Sequence, residues 1–185
     1  IGDRVMTITN VFSQYYTGGP GVSLGDWDKN TMATSEGNQV FNALYRSSSN
    51  LSYIINKGNE PYYTGIAKIL TAHNFQVNAD LFGDIPFADA LKGDLNDGFI
   101  TAPEYDDAET VVYPGLETMI KEALVLLDSN NAALAVPGAN DLIYGGDLDK
   151  WKKFGRSLLL RIYMRSGQSA KFAALYDEDP GTFIL

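Results

Sequence analysis

Residues 36–82 read EGNQVFNALYRSSSNLSYIINK, then GNE, then PYYTGIAKILTAHNFQVNADLF. In the first segment Val40, Phe41, Leu44, Leu51, Ile54 and Ile55 recur at helical spacing, with small Ser47 and Ser48 filling the turn between them. One face of an α-helix has this period, because a turn takes about 3.6 residues. The spacing predicts a helix from Glu36 to Lys57, stopped by Gly58. A second helix begins at Pro61, whose missing N–H suits a first helical position, and runs to about Leu81, with Gly83 ending it. Ile66, Ile69, Leu70, His73, Val77 and Leu81 mark its expected buried stripe. The connection of three residues, 58–60, leaves only an antiparallel return. The segment therefore reads as a helical hairpin, and the chain as all-α.

Downstream, residues 82–106 form a long connection containing Phe82-Gly83-Asp84-Ile85-Pro86-Phe87. A third helix is expected from Asp106, where Asp106 and Glu109 have the form of a capping box, through Val112, Leu116, Ile120, Ala123 and Leu127 to about Ser129. Pro114 lies inside that pattern and predicts a kink or an early break. After a loop over 130–146, Asp147 is a good N-cap for a fourth helix carrying Trp151, Phe154, Leu158, Ile162 and Arg165 on one side, closed by Gly167. Ser169–Tyr176 begins a fifth. Upstream, residues 1–35 read as irregular, because Gly18-Gly19-Pro20-Gly21, Gly25 and the polar run to Ser35 break any period. A segment of this kind indicates a functional loop, or a piece whose partner lies elsewhere in the protein. The expected organisation is an irregular segment 1–35, a scaffold of tetratricopeptide-like helix pairs with long loops over 36–168, and the start of a further helix over 169–185. The literal tetratricopeptide pattern of Trp, Leu-Gly, Tyr and Ala is absent.

Composition narrows the function classes. The 185 residues suffice for one hydrophobic core, and 45% hydrophobic content with 12% aromatics is ordinary for a globular protein. No apolar run approaches the ~18–20 residues of a membrane span, and residues 1–10 lack a signal-peptide layout. A net charge of −9, from 23 acids and 14 bases, disfavours nucleic acid, whose phosphates call for a basic footprint. Lys150, Lys152, Lys153 and Arg156 are read as a solvated helix face. With no cysteine, thiolate chemistry and disulfides are excluded from this segment.

Catalytic and metal constellations are not evident. The single histidine, His73, falls on the buried stripe of the second helix and reads as a packed core residue, with Asn74 or Asp80 as the partner it would need for function. One histidine without cysteine argues against zinc. Asp94-Leu95-Asn96-Asp97-Gly98 resembles a calcium loop, but the glycine comes one residue early and the closing glutamate is missing. Gly18-Gly19-Pro20-Gly21 lacks the lysine of a phosphate loop, no Gly-x-Ser-x-Gly elbow occurs, and Asn50-Leu51-Ser52 is a chance-grade glycosylation sequon within a helix. A glycosidase needs two carboxyl groups about 5–10 Å apart, and among 23 acids nothing singles out a pair. Neither a cofactor nor a metal is expected.

Three linked stretches carry a family resemblance. They are Asp80-Leu81-Phe82-Gly83-Asp84-Ile85-Pro86-Phe87-Ala88-Asp89-Ala90-Leu91, then Pro103-Glu104-Tyr105-Asp106 with Val112-Tyr113, and then Asp141-Leu142-Ile143-Tyr144-Gly145-Gly146-Asp147 leading to Lys150-Trp151-Lys152-Lys153-Phe154 and Ser157-Leu158-Leu159-Leu160-Arg161. In this order and spacing, over about residues 36–167, the chain resembles the SusD-like (SusD/RagB) proteins of Bacteroidetes. The resemblance implies an all-helical superhelix of tetratricopeptide-like pairs, of which this chain is the N-terminal portion. It implies a lipid-anchored protein of the outer-membrane surface that sits on a SusC-like TonB-dependent transporter and captures polysaccharide or oligosaccharide for uptake, without being an enzyme. The lipid-bearing cysteine and signal peptide of such a protein are absent from this chain.

The motif residues themselves have scaffold roles. Gly83 supplies a positive φ, Pro86 forces an extended exit, Phe82 and Phe87 pin the turn to the core, Trp151 and its neighbours bury the fourth helix against the third, and Arg161 and Arg165 pair with acids or carbonyls. Glycan binding instead needs exposed rings beside polar groups. Aromatics off the helix stripes are therefore the candidates: Tyr15, Tyr16 and Trp27 in the glycine-rich segment, then Tyr62 and Tyr63 at the start of the second helix. Two other readings stand beside glycan capture: a helical scaffold binding a peptide or partner protein, and a fragment of a helical glycoside hydrolase.

Overall fold

In a computed structural model the described residues are 9–21, 24, 29, 31, 33, 35–93, 98–129 and 134–184. The chain divides into two compact units, Ile1–Arg46 and Ser47–Leu185. The boundary falls inside the first long helix, α1 (Glu36–Lys57). In the first unit residues 9–12 are helical, within the segment expected to be irregular, and Val11, Val40 and Leu44 are buried.

The second unit holds the C-terminal half of α1, α2 (Pro61–Phe82), α3 (Tyr113–Leu127), α4 (Leu148–Arg165), α5 (Ser169–Glu178) and a 3-10 turn, Pro180–Thr182. Among the described residues there is no strand, only an isolated antiparallel bridge between Ile85 and Asp106. The most extensive interface joins α2 to α3; α4 packs on both, and α5 packs on α4.

The central helix α2 departs from its expected stripe. Leu81 is 44% exposed, His73 is half-buried, and the buried positions are mostly small or polar: Thr64, Gly65, Ala67, Thr71, Ala72, Gln76, Asn78 and Ala79, together with Tyr62, Ile69 and Phe75. Small side chains let the helix axes come close. A Cβ on Gly65 would stand 3.1 Å from both Ala123 O and the Leu127 side chain, and one on Gly155 of α4 would stand 3.1 Å from Ile69 Cδ1. Close approach brings Ile69, Leu116, Ile120, Trp151, Leu158 and Ile162 together below 2% exposure. Each such side chain contributes about 1.5–3 kcal/mol of burial free energy.

The entry to α3 also differs from expectation. Asp107, not Asp106, caps it, accepting from Thr110 N at 2.7 Å. A five-residue π-helical turn, Ala108–Val112, comes first, and the α-helix begins at Tyr113 with Pro114 in its first turn, where a proline costs nothing. Asp106 is not free to cap because its carboxylate receives Phe87 N at 2.9 Å and Ala88 N at 2.8 Å. The expected break at Pro114 is thus a change of helix type just ahead of it. At the fourth helix, Asp147 caps as its position indicated, accepting from Lys150 N at 3.0 Å.

Candidate functional site

The recognisable motifs build joints. Gly83 (φ +75°) ends α2, and Ile85, fully buried, pairs with Asp106 through Ile85 N to Asp106 O at 3.2 Å and Asp106 N to Ile85 O at 3.0 Å. Asp84 accepts from Ala108 N at 3.0 Å. Phe87 lies edge-on to Phe75 with ring centres 5.2 Å apart and covers Gly115 so closely that a Cβ there would overlap its ring. Phe82, expected to pin the turn, is 39% exposed, so Ile85 takes that part.

Asp141 organises the second joint. Its Oδ1 accepts from Ile143 N and Tyr144 N, and its Oδ2 accepts from Gly146 N at 2.9 Å and from Trp151 Nε1 at 2.7 Å. Burial pushes the Asp141 carboxyl up, but these hydrogen bonds outweigh it and hold the group below the usual carboxylate range. Gly146 (φ +87°) is needed twice over: its backbone is left-handed, and a Cβ would overlap Pro137 O.

Acids inside the helical unit are likewise held. Asp80 receives the Tyr113 hydroxyl at 2.8 Å, the Gln76 amide, and Arg165 at 3.4 Å, while Arg161 donates to Gln76 Oε1 at 3.5 Å. Burial, then the hydrogen bond to Asp80, pushes the Tyr113 hydroxyl up to about 12. Glu117 accepts from Lys121 at 2.7 Å, Lys171 at 2.8 Å and Tyr163 at 3.1 Å. Burial raises its pKa, and those donors more than offset the rise and leave it lowered. His73 is kept below its ordinary pKa by burial and by the charge of Arg161, against a hydrogen bond with Asn74, and its ring lies 5.9 Å from Phe154. Among the described residues no group of three or more His, Asp or Glu side chains could hold a metal ion.

The expected glycan contacts that are described differ in exposure. Tyr15 and Tyr16 are exposed, at 83% and 57%, in the first unit. Trp27 lies outside the described residues. Tyr62 is 5% exposed, packed with Ile69, Leu127 and Trp151, and its hydroxyl donates to Ser129 O, so its ring presents no face to solvent. Tyr63 is half-buried, its hydroxyl accepting from Asn140 Nδ2 at 2.8 Å.

A concave surface that the sequence reading missed lies in the second unit. A groove of about 820 Å³ runs between the end of α1, with Asn50, Tyr53, Asn56 and Lys57, and the connection that follows α2, with Leu91 and Pro103. Its volume falls in the range of about 300–1,000 Å³ found for ligand clefts. The Tyr53 ring is 62% exposed, and the Lys57 ammonium stands 4.8 Å from its centre. Beside it a half-open depression of about 280 Å³ shares Ser52, Asn56 and Leu91 with the groove and is lined also by Ile55, Thr71, Phe75, Phe87, Lys92 and Met119. Tyr53 continues a helix whose apolar residues absorbed the reading, and its groove partners follow some 40 residues later, so no local signal marked it.

This all-α scaffold of close-packed helices joined by tightly bonded loops is of the SusD/RagB kind. A solved SusD/RagB family protein from Bacteroides thetaiotaomicron superposes with a TM-score of 0.74 at 24% identity, over 94% of this chain and 36% of its own. A chitin-binding protein superposes with a TM-score of 0.74 at 23% identity, over 96% and 38%. A SusD homologue from Bacteroides fragilis is 30% identical over 66% of this chain and 25% of its own, with a TM-score of 0.55. The SusD-like_2 family, described as starch-binding and associating with the outer membrane, matches residues 3–176. The chain belongs to the SusD-like family. It spans about a third of the length of these solved structures or less. No curated protein sequence matches it. Among the described residues no helix is long and apolar enough to cross a membrane.

Proposed function

We propose that this chain is part of a non-enzymatic glycan-capture protein of the outer-membrane surface, lipid-anchored in its full-length form, that delivers oligosaccharide or polysaccharide to a SusC-like TonB-dependent transporter. The family match over residues 3–176 carries the reading, since that family is described as starch-binding and outer-membrane-associated. The electrostatics agree with it. Asp80, Glu117 and Asp141 are each held by several donors within the fold, an arrangement that fixes helices and loops. Exposed rings beside polar groups supply the chemistry of sugar recognition, because pyranose C–H faces stack on aromatic rings while hydroxyls take amides. Tyr15, Tyr16 and Tyr53 are exposed rings that could serve in this way.

Calorimetric titration of the full-length protein against a polysaccharide panel and a peptide panel tests the ligand class. Binding to at least one glycan is expected, with weaker binding in Tyr15→Ala and Tyr16→Ala. Peptide binding without any glycan binding would overturn the reading in favour of a peptide scaffold. Co-purification of the tagged full-length protein with a TonB-dependent transporter from outer membranes tests the partnership, and recovery without a transporter would count against it.

A further inference from the structure

We propose that the groove along the end of α1 seats a segment of oligosaccharide, with Tyr53 as its stacking surface and Asn50 and Lys57 as its hydrogen-bonding groups. The proposal rests on the glycan-capture reading and gives it a location. Asn50, Tyr53 and Lys57 are spaced three and then four positions apart, so one face of α1 carries all three. Asn50 offers an amide, Tyr53 a ring and a hydroxyl, and Lys57 an ammonium. Among the described residues neither the Asn50 amide nor the Tyr53 hydroxyl makes a hydrogen bond, and no carboxylate pairs with Lys57.

The other side of the groove is largely apolar. Leu91, Ile100 and Pro103 of the connection after α2 line it, and none of the residues lining the groove is buried. A pyranose matches such a surface, because its hydroxyls project from the rim of the ring while its C–H groups form an apolar face. The C–H face lies on Tyr53, and the hydroxyls reach the Asn50 amide and the Lys57 ammonium. That ammonium, 4.8 Å from the Tyr53 ring centre, covers part of the ring, yet Tyr53 stays 62% exposed with it in place. A peptide suits the groove less well. Side-chain anchors draw most of their binding energy from well-packed, fully desolvated pockets, and these walls offer open surface instead.

Titration of the full-length protein with linear oligosaccharides cut from starch, xylan, cellulose and chitin finds one that binds, and that oligosaccharide is then titrated into variants. Tyr53→Ala should weaken binding by about tenfold or more, whereas Tyr53→Phe, which keeps the ring, should stay within about threefold of the unaltered protein. Asn50→Ala should weaken it by about three- to tenfold. Tm should hold in all three, since both positions are exposed. Acylation of surface lysines in the unaltered protein, read by mass spectrometry, is a second measure and decides the outcome if a variant loses stability. The bound oligosaccharide should protect Lys57 and leave the exposed Lys150 of α4 reacting as before. Glycan binding that is unaltered in Tyr53→Ala and Asn50→Ala, or that leaves Lys57 unprotected, overturns the proposal and leaves glycan capture standing. A loss in Tyr53→Phe as large as that in Tyr53→Ala overturns the stacking role. Failure to bind any glycan overturns the glycan-capture reading and this proposal together.

Discussion

The turn from Asp141 to Trp151 and the end of α1 from Ser49 to Lys57 are both polar segments beside a large aromatic residue, yet their side chains are used in opposite ways. Around Asp141 the carboxylate serves three backbone N–H groups and an indole N–H, and Trp151 is 1% exposed. Along α1 the amides and hydroxyls of Asn50, Ser52 and Asn56 line a groove, and Tyr53 is 62% exposed. In the first region polarity orders the backbone; in the second it faces outward. A residue pattern that can be recognised at a distance in sequence is here one that closes on itself, whereas the surface open to a ligand has no pattern of its own.

Substitutions should separate the two regions by thermal and denaturant unfolding of the full-length protein. Gly146→Ala should have the largest effect, about 3–5 kcal/mol, because it combines a left-handed backbone with overlap at Pro137 O. Asp141→Ala should follow at about 2–4 kcal/mol, since it strands the buried Trp151 N–H and leaves three backbone donors unpaired. The Asp141 carboxyl has a lowered pKa in the folded protein, so its stabilising contribution is complete above about pH 4 and is lost as pH falls through the folded value. Asp141→Asn should flatten that part of the acid profile; an unchanged profile would remove Asp141 from the account. Gly115→Ala should cost about 1–3 kcal/mol by driving a methyl into Phe87, and Phe87→Leu in the same chain should recover part of it. Tyr53→Ala should be smallest, within about 0.5 kcal/mol, as suits an exposed side chain. A destabilisation at Tyr53 as large as that at Gly115 would erase the distinction between the two regions.

Helix positions were legible where local chemistry decides them. Glu36–Lys57 follows from apolar spacing and Gly58, and Leu148–Arg165 from the cap at Asp147. The misreadings arise where distant residues intervene. Asp106 has the local form of a cap, but Phe87 and Ala88, some 20 positions earlier, take its carboxylate, and the neighbouring Asp107 does the capping. The stripe expected for α2 follows large apolar residues, whereas close approach to α3 selects a small one at Gly65. Tyr62 and Tyr63 looked alike as a pair. The rotation of about 100° between neighbouring helix positions puts the first into the core with Trp151 and leaves the second at the edge, bonded to Asn140.

The bonds at Asp84 and Asp106 have a consequence for how such a protein can change. They fasten the connection between α2 and α3 at its two ends, through Ala108 N at one carboxylate and Phe87 N and Ala88 N at the other. Leu91 and Pro103, which form a wall of the groove, lie between those fastenings. Length and composition can therefore vary inside the staple while the helices keep their seating. Exchanging this single stretch of chain would rebuild that wall of the groove without reseating the helices.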